Sequence, residues 1–174
     1  MTKTIIYIQA TDEPGLISNI SKIITDNQGN IETTKMIKLT TVFNLIMLIS
    51  IEDKNLIKIE KKLLEIKNKK NNFFIRINTS KNISLTSSNL YKFTLKGADT
   101  EGLVYKFTDL LLSYEINIEN MDTEIKNAPI TGHPLFFLNS ILDIPCYVNL
   151  DEIKNKLNNL ANKSNVAIKL KANI

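Results

Sequence analysis

This chain of 174 residues carries one pattern twice. Asp12-Glu13-Pro14-Gly15-Leu16 closes an alternating apolar run and opens an amphipathic stretch; Asp99-Thr100-Glu101-Gly102-Leu103 does the same 87 positions later. The match continues beyond the motif. Leu16, Ile17, Ile20, Ile23 and Ile24 map onto Leu103, Val104, Phe107, Leu110 and Leu111, and Asn30-Ile31 maps onto Asn117-Ile118. An internal repeat of this kind implies two copies of one structural unit. A unit of roughly 80 residues buries only a modest share of its surface. The two copies are therefore expected to share an interface.

Within each copy the periodicity alternates between two and 3.6. Ile6, Ile8 and Ala10 alternate with Tyr7 and Gln9, as in a strand with one face in a core. A helix is predicted from Leu16 to Gln28, with Asp12 as its N-cap, Pro14 in its first turn and Glu13 complementing its dipole. Gly29 takes the left-handed C-terminal position. A second strand spans Asn30 to Leu39, Thr40-Thr41 turns the chain, and the dense apolar run Val42 to Ile51 reads as a buried strand. Leu56, Ile59, Leu63 and Ile66 mark a second helix, and Phe73 to Ile77 a fourth strand. The order is βαββαβ. It recurs with strands Tyr91 to Gly97, Asn117 to Lys126, Leu135 to Ile144 and Val166 to Lys171. The helices of this copy are Gly102 to Tyr114 and the stretch carrying Leu150, Ile153, Leu157 and Leu160.

The predicted organisation is thus a first unit over 1–79, a polar linker over 80–88 and a second unit over 89–174. The fold class is α+β: two tandem ferredoxin-like βαββαβ units, each an antiparallel sheet with helices on one face. From the second helix of each unit the offset grows from 87 to 94, so about seven residues are inserted around the third strand of the second copy. The insertion is Asn127-Ala128-Pro129-Ile130-Thr131-Gly132-His133-Pro134. A longer hairpin connection in one copy alone is either a candidate partner loop, centred on Pro129, Gly132, His133 and Pro134, or a neutral surface insertion.

Composition narrows the function. The net charge is +4, but Arg76 is the sole arginine. Arginine is the usual donor to phosphate and guanine, so no direct nucleic-acid binding is expected. No apolar run reaches the ~18–20 residues that span a bilayer, and no membrane association is expected. Met1-Thr2-Lys3-Thr4 leads straight into a strand, so no leader is expected. A single cysteine, Cys146, gives no disulfide framework, fits a cytoplasmic protein, and is expected to be buried or half-buried. His133 is the only histidine, with no second ligand at metal spacing and no nucleophile arrangement. No catalytic residue, cofactor or metal is expected.

A strand ending in Asp-x-Pro-Gly-Leu, a helix and an Asn-Ile pair that opens the next strand resemble the ACT domain, a small-molecule regulatory module that usually takes amino acids; the second copy departs from it with Glu101 where the first has Pro14. Ala128-Pro129-Ile130-Thr131-Gly132-His133-Pro134-Leu135-Phe136, with Gly97-Ala98-Asp99 and Asn117-Ile118-Glu119, is similar to the glycine cleavage system transcriptional repressor family of stand-alone tandem ACT proteins. The resemblance implies ligands held between two such units, close to the loops. The candidate ligand-binding residues are then Asp12, Glu13, Pro14, Gly15, Leu16, Asn30, Ile31, Asp99, Gly102, Leu103, Asn117 and Ile118. The plainer alternative is that these aspartates only cap helices, the glycines only serve turns, and the asparagines only bond backbone.

The resemblance implies a non-enzymatic regulator that senses a small amino acid such as glycine and acts on transcription through a DNA-binding partner protein. Self-association is also expected. The competing reading is a protein-interaction module without ligand binding, which Glu13 and Glu101 favour because acids at these loops repel a carboxylate.

Overall fold

The computed structural model describes residues 1–69, 72–79, 89–129 and 132–172. The chain divides into two compact units, Met1–Ser84 and Leu85–Ile174. The predicted linker at 80–88 lies outside the described residues. The first unit runs β1 (Thr2–Thr11), α1 (Leu16–Asp26), β2 (Asn30–Leu39), β3 (Val42–Ile51), α2 (Asp53–Lys69) and β4 (Phe74–Thr79). The second runs β5 (Leu90–Ala98), α3 (Leu103–Leu112), β6 (Asn117–Asn127), β7 (Pro134–Asp143), α4 (Leu150–Lys163) and β8 (Val166–Ala172). All strand pairs are antiparallel, in the orders β2-β3-β1-β4 and β6-β7-β5-β8. The described strands form two four-stranded sheets, one in each unit. The class is α+β with two ferredoxin-like βαββαβ units.

Each core lies between one sheet face and its two helices. Ile6, Ile8 and Ala10 of β1 meet Leu16, Ile20 and Ile24 of α1 and Ile59 and Leu63 of α2. Phe93 and Leu95 of β5 meet Leu103, Phe107 and Leu111 of α3 and Ile153 and Leu157 of α4. Strand β3 is not buried on both faces, as its composition suggested. Phe43, Leu45, Met47 and Ile49 are buried, while Ile46 between them is 49% exposed. Pleating sends alternate side chains to opposite faces, and helices cover only one.

The helix starts differ from expectation. Gly15 and Gly102 are the N-cap residues, at φ +85° and +78°, and neither helix has a side-chain cap. Asp12 and Asp99 do not cap, and Pro14 precedes the helix. A left-handed residue immediately before the helix is easily supplied by glycine, and it leaves the aspartates further back in the loop. At the other end, Gln28 and Glu115 take the left-handed conformation, φ +62° and +54°, at equivalent positions. Gly29 was the expected left-handed residue but meets a different need. A Cβ there would lie 2.8 Å from Ile24 Cγ2, so a side chain at this position would force Ile24 to shift.

Helix α4 is capped conventionally. Asn149 Oδ1 accepts from the Asp151 and Glu152 amides at 3.0 and 3.2 Å. Asn149→Ala should lower stability by about 1 kcal/mol, read as a fall in urea midpoint at unchanged slope. An unchanged midpoint would show that the cap contributes nothing.

Both second strands carry the same irregularity. The pairing of β2 with β3 slips between Ile31 and Thr33, and that of β6 with β7 slips between Ile118 and Asn120. The extra residues are Glu32 and Glu119, and a bulge of this kind bends a strand. The register also locates the insertion. Thr11 pairs with Val42 and Ala98 with Leu135, so the offset is already 93 at the third strand. Six of the extra residues therefore lie in the β6–β7 hairpin.

Candidate functional site

Register decides which candidate residues meet. Asn30 and Lys3 both pair with Ser50, whereas Thr11 pairs with Val42 at the far end of the sheet. Eight residues at 3.2–3.4 Å each separate the two ends by about 26 Å. Asn30 and Ile31 therefore stand at the opposite end of the unit from Asp12, Glu13, Pro14, Gly15 and Leu16. The second unit repeats this. Asn117 is level with Asp143 and Leu90, while Ala98, beside Asp99, pairs with Leu135. Within either unit, nothing the size of an amino acid touches both sets.

At the loop end of the first unit, Asp12 forms an ion pair with Lys38 at 2.7 Å, and its amide donates to the Thr41 carbonyl at 3.3 Å. The loop thus rests on the β2–β3 turn. Glu13, Pro14 and Gly15 are exposed, and the Glu13 carbonyl accepts from the Leu16 amide at 3.3 Å. Leu16 is 4% exposed and belongs to the core. Beside this turn a hollow of about 220 Å³ is lined by residues including Thr11, Thr41, Val42 and Phe74.

At the loop end of the second unit, Asp99 and Gly102 are exposed and Leu103 is buried. The Asp99 amide donates to the Pro134 carbonyl at 3.4 Å. That bond sets the inserted hairpin against the repeat loop, an adjacency that linear spacing does not reveal. The insertion is closed by Ala128 N–H to His133 carbonyl at 2.8 Å and Gly132 N–H to Ala128 carbonyl at 2.9 Å, with Gly132 at φ +68°. Pro129, Gly132, His133 and Pro134 are all exposed; Ile130 and Thr131 lie outside the described residues.

At the asparagine end, Asn30 and Asn117 are exposed and Ile31 and Ile118 half-buried. The two isoleucines pack against their cores. Asn117 Nδ2 donates to Glu119 Oε1 at 2.5 Å. Asn117 and Ile118 edge a hollow of about 370 Å³ against Tyr105, Asp109 and Leu112 of α3. Glu32, the bulge residue, pairs with Lys3 at 3.1 Å, and that bond holds its carboxyl below the usual range.

Cys146, expected to be buried or half-buried, is exposed in the segment after β7. Among the described residues, no group of three or more His, Cys, Asp or Glu side chains is placed to hold a metal, and no helix is long and apolar enough to cross a membrane.

Two ferredoxin-like βαββαβ units share the same loop, bulge and left-handed turn. Residues 4–72, most of the first unit, match the profile of the ACT domain family. Among solved structures, an unknown protein from Galdieria sulphuraria is similar over 99% of both chains, with TM-score 0.84 and 23% identity. A proposed glycine cleavage system transcriptional repressor is similar over 99% of this chain and 98% of its own, with TM-score 0.69 and 18% identity. A comparison with curated proteins gave no match.

Proposed function

We propose that this chain is a non-enzymatic, cytoplasmic regulator that binds a small amino acid through its repeat loops and acts on transcription through a DNA-binding partner protein. One observation carries the ligand reading. Helices α1 and α3 both start at a left-handed glycine with no side-chain cap, in an exposed loop. First-turn N–H groups without a cap suit a carboxylate. Helix α4, outside the repeated motif, has its cap. The loop at Gly15 is the stronger candidate, because Lys38 neutralises Asp12 beside it. Glycine is the first ligand to try, supported by the similarity to a proposed glycine cleavage system transcriptional repressor. A bound ligand alters output only through unequal affinity for two states of the protein.

Thermal unfolding against a panel of amino acids tests this. At 100 times its dissociation constant a ligand adds ~2.7 kcal/mol, or roughly 5–10 °C for a chain of this length. Gly15→Ala, strained at positive φ, should remove most of that shift. No shift with any amino acid at millimolar concentration would sink the ligand reading.

The second reading is a protein-interaction module without ligand binding. Glu13 and Glu101 favour it, since both loops carry an exposed acid where a carboxylate would approach. Co-purification of a stable partner, with no ligand-induced shift, is its expected signature.

A further inference from the structure

The two repeats keep the same helix-side core but differ on the open sheet face. On the first unit that face carries Ile5, Tyr7 and Gln9 of β1, with Phe74, Arg76 and Asn78 paired beside them on β4. The equivalent positions on the second unit are Lys92, Thr94 and Lys96 of β5, with Ala167, Lys169 and Lys171 on β8. Four lysines thus stand where the first unit has Ile5, Gln9, Arg76 and Asn78.

All four lysines are exposed, and none is in an ion pair with a described residue. Lys92 and Lys171 are direct cross-strand partners. Like charges directly opposite one another destabilise a sheet, so this pair opposes folding. Lysines on an edge strand discourage sheet-to-sheet pairing. That accounts for Lys169 and Lys171 on β8, but not for Lys92 and Lys96 on β5, which is flanked on both sides.

We propose that the open face of the second unit docks an acidic polypeptide segment of a partner protein, held by Lys92, Lys96, Lys169 and Lys171. The chemistry favours carboxylates over nucleic acid. The face has no arginine for bidentate phosphate contacts. Its one aromatic ring, Phe137, lies beneath two ammonium groups, Lys96 at 5.2 Å and Lys126 at 5.9 Å. A ring so covered is a poor platform for stacking a base. Carboxylates on alternate residues of an extended segment repeat every ~6.6 Å, the spacing of Lys169 and Lys171 along β8. This surface is independent of the amino-acid reading of the loops.

The test uses the full chain with poly-L-glutamate and oligo(dT) as probes at low salt, and Lys92→Glu/Lys171→Glu against Lys61→Glu/Lys62→Glu. The second pair makes the same charge change on the exposed outer face of α2. The expected result is that the native chain binds polyglutamate more tightly than oligo(dT), and that K92E/K171E weakens it about tenfold or more while K61E/K62E changes it less than about threefold. Lys92→Gln/Lys171→Gln, which adds no acid, should give an intermediate loss in a chain that keeps the native circular dichroism. Equal loss in the two reversed pairs, no polyglutamate binding, or tighter oligo(dT) binding would each overturn the proposal.

Discussion

Replacing Phe107 by alanine should cost about 3–5 kcal/mol. Phe107 and Phe93 are each 1% exposed, and their rings meet at 5.9 Å between centroids, tilted by 38°. The first unit has Ile20 and Ile6 at these two places, both fully buried. The second copy thus has a phenylalanine pair where the first has two isoleucines. Truncating one ring leaves a cavity that the other cannot fill without leaving its rotamer. In a domain of this size each kcal/mol is worth about 4–8 °C, so a unit that unfolds on its own should lose at least ~12 °C. Phe93→Ala should cost a similar amount, and the double variant less than the sum, because both remove the same contact. A loss below about 1 kcal/mol for Phe107→Ala would mean that the helix α3 packing described above is not what holds this core.

The second large effect is expected at Gly97. A Cβ built there would lie 2.5 Å from Val166 Cγ1, 2.9 Å from its Cβ and 3.0 Å from its Cα. Gly97 and Val166 are direct partners across β5 and β8. Gly97→Ala should therefore cost about 1–3 kcal/mol, the usual range for overpacking. Equilibrium urea unfolding measures it. Val166→Ala removes the nearest methyl but not the Cβ or Cα, so the double variant should recover part of the loss and not all of it. A fully additive double variant would show that the clash is relieved elsewhere. The first unit carries Ala10 at this position, buried at 5%. The close approach at Gly97 is therefore particular to β8 and its Val166.

Much of the architecture was legible from periodicity. The doubled motif, the period-two strands and the 3.6-period helices specify βαββαβ twice. The bounds of β2 and β3 agree with the pattern residue for residue, since Asn30 and Val42 open clear alternations. Local chemistry misled where two residues competed for one role. Asp12 is a good cap in isolation, but Gly15 in a left-handed conformation starts the helix three residues later. Gly29 is a good left-handed residue in isolation, but Gln28 takes that conformation. Gly29 is constrained instead by Ile24, one turn back in the helix.

The candidate site was only half legible. Sequence singled out the two loops and the two asparagines by their repetition, and repetition carries no distance. Pairing register places them about 26 Å apart within a unit. Register likewise sets the inserted hairpin against Asp99 through Pro134. The lysine face was missed because Lys92, Lys96, Lys169 and Lys171 are dispersed along a lysine-rich chain. They become a cluster only when β8 closes against β5.

By itself the sequence determined the doubled unit, the order of its elements and most of the residues that enter each core, because these follow from short-range periodicity of apolar side chains. Tertiary structure alone decided which ends of the sheet the loops occupy, which glycines are conformational and which steric, and where charge gathers. Those depend on the registers of strands far apart in the chain, and no local pattern encodes them.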